Sequence, residues 1–149
     1  MTTETQQVSA VLNGLIETCK DGENGFRKAA ADVKEASLQS LFSKYSTQRA
    51  SYAGELQQLV SGLGEKPAAS EHLSAKLHRG WIGLKESVVG DQDRAIIFEA
   101  EAGEDAAMKN YTEALKQPLP PDVQAVVQRQ FAGVQEAHGM IRDLKHSRQ

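Results

Sequence analysis

The sequence lacks several features that would narrow its class. Cys19 is the only cysteine in 149 residues, so no internal disulfide can form, which fits a reducing compartment. No stretch approaches the roughly 20 apolar residues that a membrane-spanning helix needs. The first ten residues are polar and have no apolar core of a signal peptide. These absences predict a cytoplasmic protein that does not bind a membrane.

Charge of one sign is also missing. The 17 basic and 20 acidic residues give a formal charge of -3, and the two signs are mixed along the chain. No basic face and no nucleic-acid-reading motif is visible, so we expect no nucleic-acid partner. No Ser-His-Asp order, phosphate-binding glycine motif or CxxC pair is present. Classical hydrolase and nucleotide chemistry are therefore disfavoured.

Helical periodicity is the dominant signal that is present. Apolar residues recur at steps of three and four, and almost no run alternates as a strand would. The length suits one domain over residues 1–149. Five helical segments are predicted, with approximate bounds Thr5 to Val33, Ala36 to Leu63, Glu71 to Val89, Gln92 to Lys116, and from just after Pro121 to Lys145.

The connections between these segments predict the topology. Short links near Lys34 and around the Pro118 to Pro121 cluster require antiparallel neighbours. Between Gly64 and Asp91, by contrast, a helix of about 18 residues would span roughly 27 Å, enough to travel back along a bundle. Two hairpins joined by one long crossover is the ferritin-like connectivity. The predicted fold is thus all-α, a ferritin-like antiparallel four-helix bundle with an additional short crossover helix.

Two smaller features have competing interpretations. In the predicted crossover helix, Gly80 would permit a close approach to the bundle while Trp81 fills a groove. The alternative is a small-molecule or partner site that uses His78. Cys19 lies on an apolar stripe, where a thiol usually packs and does not react.

Four strings carry a resemblance to a known family: LNGLIETCKDGENGF (Leu12 to Phe26), LHRGWIGLK (Leu77 to Lys85), GEDAAMKNYTEAL (Gly103 to Leu115) and QEAHGMIRDL (Gln135 to Leu144). Together they resemble a family of bacterial ferritin-like four-helix-bundle proteins of unknown function, over nearly the whole chain. The resemblance implies a ferritin-like bundle. It implies no activity, so function must be argued from the site.

Polar residues on the inward stripes suggest a metal site. Di-iron ferritin-like proteins use a Glu from each of two helices and a Glu-x-x-His from each of the other two. Glu23 and Glu101 are predicted at similar depth, roughly 15 Å from one bundle end. Glu104 continues the stripe of Glu101, and His138 lies about one turn from the level of both. We therefore predict Glu23, Glu101, Glu104 and His138 as ligands of a single divalent metal, iron, manganese or zinc.

The second helix speaks against a complete di-iron centre. At the matching level it offers Tyr45, Ser46, Gln48 and Arg49, while Glu55 lies some 13 Å deeper along the axis. The competing interpretation is structural. Inward carboxylates would pair with a basic neighbour or a tyrosine, and His138 would be a hydrogen-bonded core residue.

Three functions stay open at this point. The first is a non-catalytic bundle that acts through association with itself or another protein, including under stress. The second is a ferritin-like metal-binding or oxidoreductase protein using the partial site. The third is a small-molecule binder, which would need a cavity between helices. Whether the chain is an enzyme is left undecided by these patterns.

Overall fold

The computed structural model describes residues 4–68 and 92–148. Within these ranges the chain forms four helices and no strand: α1 (Glu4–Asp32), α2 (Ala36–Gly62), α3 (Gln92–Leu115) and α4 (Pro121–Ser147). Each agrees with a predicted segment to within a few residues. None of these helices is apolar enough over a sufficient length to cross a membrane.

The predicted crossover helix lies outside the described residues. This applies to the whole Glu71 to Val89 segment and to the roles suggested for His78, Gly80 and Trp81. Those assignments stay predictions.

Local sequence sets the helix ends. Gly64 has a φ of 77°, a left-handed conformation that ends α2 and is strained for residues with a side chain. α4 begins at Pro121, whose fixed φ suits a first helical position where no amide hydrogen bond is needed. Asn13 then holds the chain beyond α2 against α1: its side chain donates to the Lys66 carbonyl oxygen at 3.2 Å and accepts from the Ala68 amide at 2.8 Å.

The four helices are arranged as two antiparallel hairpins. α1 packs against α2 and α3, and α4 packs against α3 and more sparsely against α2, so α1/α4 and α2/α3 lie across the diagonals. The Asp93 carboxylate accepts the Lys34 and Glu35 amides at 2.8 and 3.0 Å, which places the start of α3 beside the α1–α2 turn. Arg148, after α4, pairs with Glu35 at the same end. α2 and α3 therefore run parallel, which agrees with the ferritin-like arrangement of two antiparallel hairpins.

The core is divided into two apolar clusters. The cluster near the α1–α2 turn contains Phe26, Phe42, Ile97 and Ile141, among others. The second cluster, toward the opposite end, includes Leu12, Ile16, Leu56, Tyr111 and Val127. Along α2 and α3, the boundary between the clusters is marked by two buried charged residues, Arg49 and Glu104. A polar layer thus crosses the middle of the bundle.

The first prediction concerns the link between the α1–α2 turn and α3. Asp93→Ala should lower the free energy of unfolding by about 1–2 kcal/mol, because the substitution removes two charge-assisted hydrogen bonds to backbone amides. The matched control is Asp122→Ala in the first turn of α4, which should cost about 0.3–1 kcal/mol through the helix dipole alone. Urea unfolding of both variants measures the difference. Equal costs would show that the Asp93 bonds add nothing to stability.

Candidate functional site

The centre of the bundle holds a buried ion pair. Nη1 and Nη2 of Arg49 each donate to one oxygen of Glu104, both at 2.6 Å. The side chains are 1% and 0% exposed. Arg49 comes from α2 and Glu104 from α3, so the bond spans one diagonal of the bundle. Such a bidentate guanidinium–carboxylate contact is among the strongest polar contacts a protein makes.

The surroundings of Arg49 are shaped to its side chain. A Cβ atom at Gly22 would lie 3.2 Å from Nη1 and 3.3 Å from Cγ of Arg49, so the absence of a side chain on α1 gives the arginine its space. The guanidinium carbon lies 5.2 Å from the Phe26 ring centroid, and Nε donates to Gln48 Oε1 at 3.1 Å. Burial alone would lower the pKa of Arg49, but the Glu104 charge raises it above its ordinary value. The arginine is therefore a fixed cation.

A second buried chain of hydrogen bonds joins all four helices. The Tyr111 hydroxyl donates to Gln130 Oε1 at 2.7 Å, and the Cys19 Sγ lies 3.1 Å from the same hydroxyl. Gln130 Nε2 in turn donates to the Tyr52 carbonyl oxygen at 3.2 Å and to Glu55 Oε1 at 3.0 Å. Because the tyrosine proton goes to Gln130, the thiol is the donor to the tyrosine oxygen.

The Cys19 thiol and the Tyr111 hydroxyl both stay protonated at neutral pH. Burial raises the pKa of Cys19 to about 11, against smaller opposing effects of the Tyr111 hydrogen bond and the Arg49 charge. Burial also raises the pKa of Tyr111 well above its usual value. A thiol of this kind is not a nucleophile, in agreement with the packing role expected for Cys19.

Asp21 is the exception to this pattern of satisfied groups. The residue is 5% exposed, and neither of its carboxylate oxygens has a hydrogen-bond partner. Burial, with a smaller contribution from the charge of Glu17, raises the pKa of Asp21 to about 7. The small cavity that it borders between α1 and α3 has no room for a water molecule. The folded protein therefore holds this group most stably in its neutral form.

Of the four predicted metal ligands, only Glu104 lies in the bundle centre. The other three pair with different side chains: Glu23 Oε1 with Lys20 Nζ at 3.3 Å, Glu101 Oε1 with Lys145 Nζ at 2.7 Å, and His138 Nε2 with Asp105 Oδ1 at 2.6 Å. Glu23 and His138 belong to α1 and α4, which lie across a diagonal of the bundle without a close backbone approach. Residues 4–68 and 92–148 contain no group of three or more acidic, histidine or cysteine side chains placed to hold a metal ion. Metal binding by the four residues stays a prediction.

The sequence analysis placed Arg49 at the depth of the predicted metal site, but it treated the residue only as a position that lacks a metal ligand. Arg49 and Glu104 lie 13 and 12 residues from the starts of their helices, which enter the bundle at the same end. Opposite charges on two inward stripes at one depth were the available signal for the pair. Gln130 carried a similar signal, because it lies between Val127 and Val134 on the buried face of α4.

A cleft of about 400 Å³ lies at the bundle end remote from the α1–α2 turn. Its lining comes from the start of α1, the end of α2 and the α3–α4 connection: Glu4, Thr5, Gln7, Val8, Leu63, Pro118, Leu119 and Pro120. Its volume is in the range of small-ligand sites. It is, however, an open cleft at the end of the bundle and not the interior cavity that the small-molecule hypothesis requires.

Comparison with known proteins defines the family. Residues 7–117 match the family described as Domain of unknown function (DUF2383). The chain belongs to this family. This confirms the expected membership in a ferritin-like family of unknown function. No curated protein matches the sequence.

Two solved structures share the fold. A mutant of Dps1 from Mycobacterium smegmatis is 12% identical, with a TM-score of 0.76 over 97% of this chain and 99% of that one. A two-domain protein from Anabaena variabilis, with DJ-1/ThiJ/PfpI-like and ferritin-like domains, is 16% identical, with a TM-score of 0.78. That match covers 99% of this chain and 41% of the other. At these identities the similarity shows the ferritin-like fold and nothing about activity.

The second prediction tests how tightly Arg49 is held. Gly22→Ala should lower the free energy of unfolding by about 1–3 kcal/mol, because the new methyl group meets an arginine that Glu104 prevents from moving. Gly14→Ala on the same helix is the control. Its Cβ would meet nothing within 4 Å, so the better helix propensity of Ala should raise stability by about 0.5–1 kcal/mol. Chemical denaturation that shows both variants stabilised would mean that Arg49 is free to shift.

The third prediction follows from the raised pKa of Asp21. An unfolded aspartate titrates near pH 3.9, so the folded state binds this proton more tightly than the unfolded chain does. The stability gained is fully present below about pH 4 and is lost as the pH rises through about 7. Asp21→Asn should therefore unfold at higher urea concentration than the parent protein at pH 8. The stability lost between pH 5 and 8 should be smaller in the variant by about 2 kcal/mol.

The matched control for that experiment is Asp143→Asn, which neutralises an exposed aspartate on α4. It should leave the dependence of stability on pH unchanged. If Asp21→Asn behaves in the same way as this control, Asp21 ionises in the folded protein without cost.

Proposed function

We propose that this chain is a non-catalytic helical bundle that acts by association with copies of itself or with another protein. The observation that carries the proposal is the Arg49–Glu104 pair, which fills the bundle centre with two groups that satisfy each other. The neighbouring Cys19, Tyr111 and Gln130 are likewise bonded to one another. The described interior thus offers no free nucleophile and no set of metal ligands, and its unpartnered acid, Asp21, borders a cavity that does not admit a water molecule. An action on partners must then use the outer surface.

The metal-binding alternative has less support from the same residues. The di-metal centre of ferritin-like proteins needs several carboxylates aimed at one point. Here the only carboxylate described at the centre has both oxygens occupied by a guanidinium. Glu101 and His138 have partners elsewhere, on the α3–α4 side. The residues in the described parts of the chain do not fit a di-metal centre.

Two large apolar side chains among the described residues are exposed, and both belong to the α3–α4 hairpin. Phe98 is 37% exposed on α3, and Met140 is 46% exposed on α4. Phe98 also lies under two cationic side chains, with Lys145 Nζ 4.8 Å from the ring centroid. A partner that buries these side chains would gain roughly 1.5–3 kcal/mol for each that is fully covered. We place the association in the cytoplasm, where Cys19 stays reduced.

The fourth prediction is the result of two measurements on protein purified without added metal. Light scattering after size-exclusion chromatography should find a mass above that of the monomer, and elemental analysis should find far less than one iron, manganese or zinc ion per chain. Phe98→Ser and Met140→Ser should shift the mass toward the monomer, because they remove exposed apolar contacts. Ala102→Ser, also exposed on α3, is the matched control and should leave the mass unchanged.

A monomer that retains one metal ion per chain would contradict the proposal. Loss of that ion in Glu104→Gln or His138→Ala would then assign the metal to the predicted ligands, and the oxidoreductase function would take the place of association.

A further inference from the structure

Di-iron members of the ferritin-like fold hold two metal ions between inward carboxylates, and the described residues of this chain replace that arrangement. At the central level α1 contributes Gly22, which has no side chain, α2 contributes Arg49 and α3 contributes Glu104. Among the described residues, Glu104 is the one carboxylate bonded at this point, where di-metal proteins use several, and Asp21, next to Gly22, has no hydrogen-bond partner. We propose that the Arg49 guanidinium is a built-in cation that stands in for the metal and excludes metal ions from the bundle centre.

A divalent cation at the bundle centre would need negative charge to compensate its own. A divalent cation would enter this dry region only if carboxylates repaid the loss of its water shell. The charge of Glu104 is already neutralised by Arg49 through two bonds of 2.6 Å. Any incoming metal would have to displace a guanidinium that stays charged at all physiological pH values. The same displacement would leave that guanidinium buried without a counterion, which is strongly unfavourable.

The neighbouring described groups supply no second permanent anion. Asp21 borders the same cavity as the pair, but it is buried without a hydrogen-bond partner, and burial raises its pKa to about 7. Cys19 and Tyr111 are two further side chains near the pair that could become metal ligands by losing a proton. Burial raises the pKa values of both, although the charge of Arg49 acts in the opposite direction, and their protons are used in the hydrogen bonds that lead to Gln130. The ion pair at the described centre therefore consists of two groups that both belong to the protein.

The space around the guanidinium supports the same assignment. Gly22 leaves room for the arginine side chain to lie against α1, and the Phe26 ring faces the guanidinium carbon at 5.2 Å. An aromatic face stabilises an organic cation that lies over it. These features match a planar guanidinium, whereas a metal ion would need oxygen, nitrogen or sulfur donors at the same points.

Exclusion of metal goes beyond association, because a monomer or an oligomer could equally exclude metal.

The proposal that Arg49 excludes metal is tested by reversing the charge at the centre. In Arg49→Glu, two carboxylates on diagonal helices would face each other, and repulsion should make folding depend on a divalent cation. Added Co²⁺ should raise the melting temperature of this variant and bind with a dissociation constant at least about tenfold lower than in the parent protein.

Three controls separate metal binding from general effects. Arg129→Glu makes the same substitution in the exposed pair with Glu55 and should give no such gain in Co²⁺ affinity. Arg49→Lys keeps the positive charge but loses the bidentate contact, so its stability should fall while its affinity for Co²⁺ stays as low as that of the parent protein. Arg49→Glu combined with Glu104→Gln removes one of the two carboxylates and should lose most of the Co²⁺ response.

Arg49→Glu could fail to fold with or without Co²⁺, and Arg49→Gln covers that case. It keeps a polar side chain of moderate size and leaves Glu104 as an uncompensated anion, so Co²⁺ should again raise its melting temperature. If neither variant gains affinity for Co²⁺, the proposal is overturned. It is equally overturned if the parent protein binds Co²⁺ and loses it on Glu104→Gln. Neither result changes the oligomeric state by which association is judged.

Discussion

The side chains of Arg49 and Glu104 link two helices whose backbones do not approach each other closely. α2 and α3 lie across a diagonal of the bundle, and the guanidinium and carboxylate meet between them at 2.6 Å. A buried ion pair of this kind adds little net stability compared with an apolar pair of similar volume, because both charges must leave water. Removing one partner is costly, about 3–5 kcal/mol, because the other charge is left buried alone. The pair therefore acts mainly as a constraint on how α2 and α3 can be placed.

That constraint organises the layers on either side. Hydrophobic burial is non-directional, whereas a bidentate contact needs a defined geometry and is lost with a shift of about one ångström. Fixing Arg49 against Glu104 thus sets the depth of two helices from the same bundle end. Gly22 brings α1 into this layer by making room for the arginine. The chain of bonds through Tyr111 and Gln130 then ties α4 to α2 and α3 within the second apolar cluster.

The helices and their topology could be predicted from sequence because local chemistry determines them. The Gly64 turn, the proline at the start of α4 and the three- and four-residue spacing of apolar side chains are signals within short stretches. The parallel direction of α2 and α3 followed from the number of residues between the two hairpins. Asp93, which joins α3 to the α1–α2 turn, could not be assigned in this way, because its partners are backbone amides distant in sequence.

The candidate site was harder to predict because periodicity gives depth and approximate direction but not the partner. Glu101 and Glu104 share a stripe, yet Glu104 is fully buried against Arg49 while Glu101 reaches Lys145 at the α3–α4 boundary. Side chains three residues apart on a helix differ in direction by about 60° around its axis. That angle is enough to place Glu104 at the centre of the bundle and Glu101 at the edge of a helix interface. An inward carboxylate has the same sequence signature whether its counterion is a metal or an arginine. Only the position of Arg49 on the opposite helix distinguishes the two.

A comparison of Asp21 with Glu104 shows the effect of Arg49 on a buried carboxyl group. Both acids are buried and both border the same narrow space between α1 and α3. Glu104 has a guanidinium within hydrogen-bond distance of both oxygens, whereas Asp21 has no partner for either oxygen, and its pKa rises to about 7. Both groups are buried, so the difference between them is the arginine. Glu104, which is paired with Arg49, holds α2 and α3 in place, whereas the unpaired Asp21 lowers the stability of the folded protein as the pH rises. Among the described residues, the position of Arg49 therefore determines which buried carboxyl group is paired, and the ferritin-like fold alone does not.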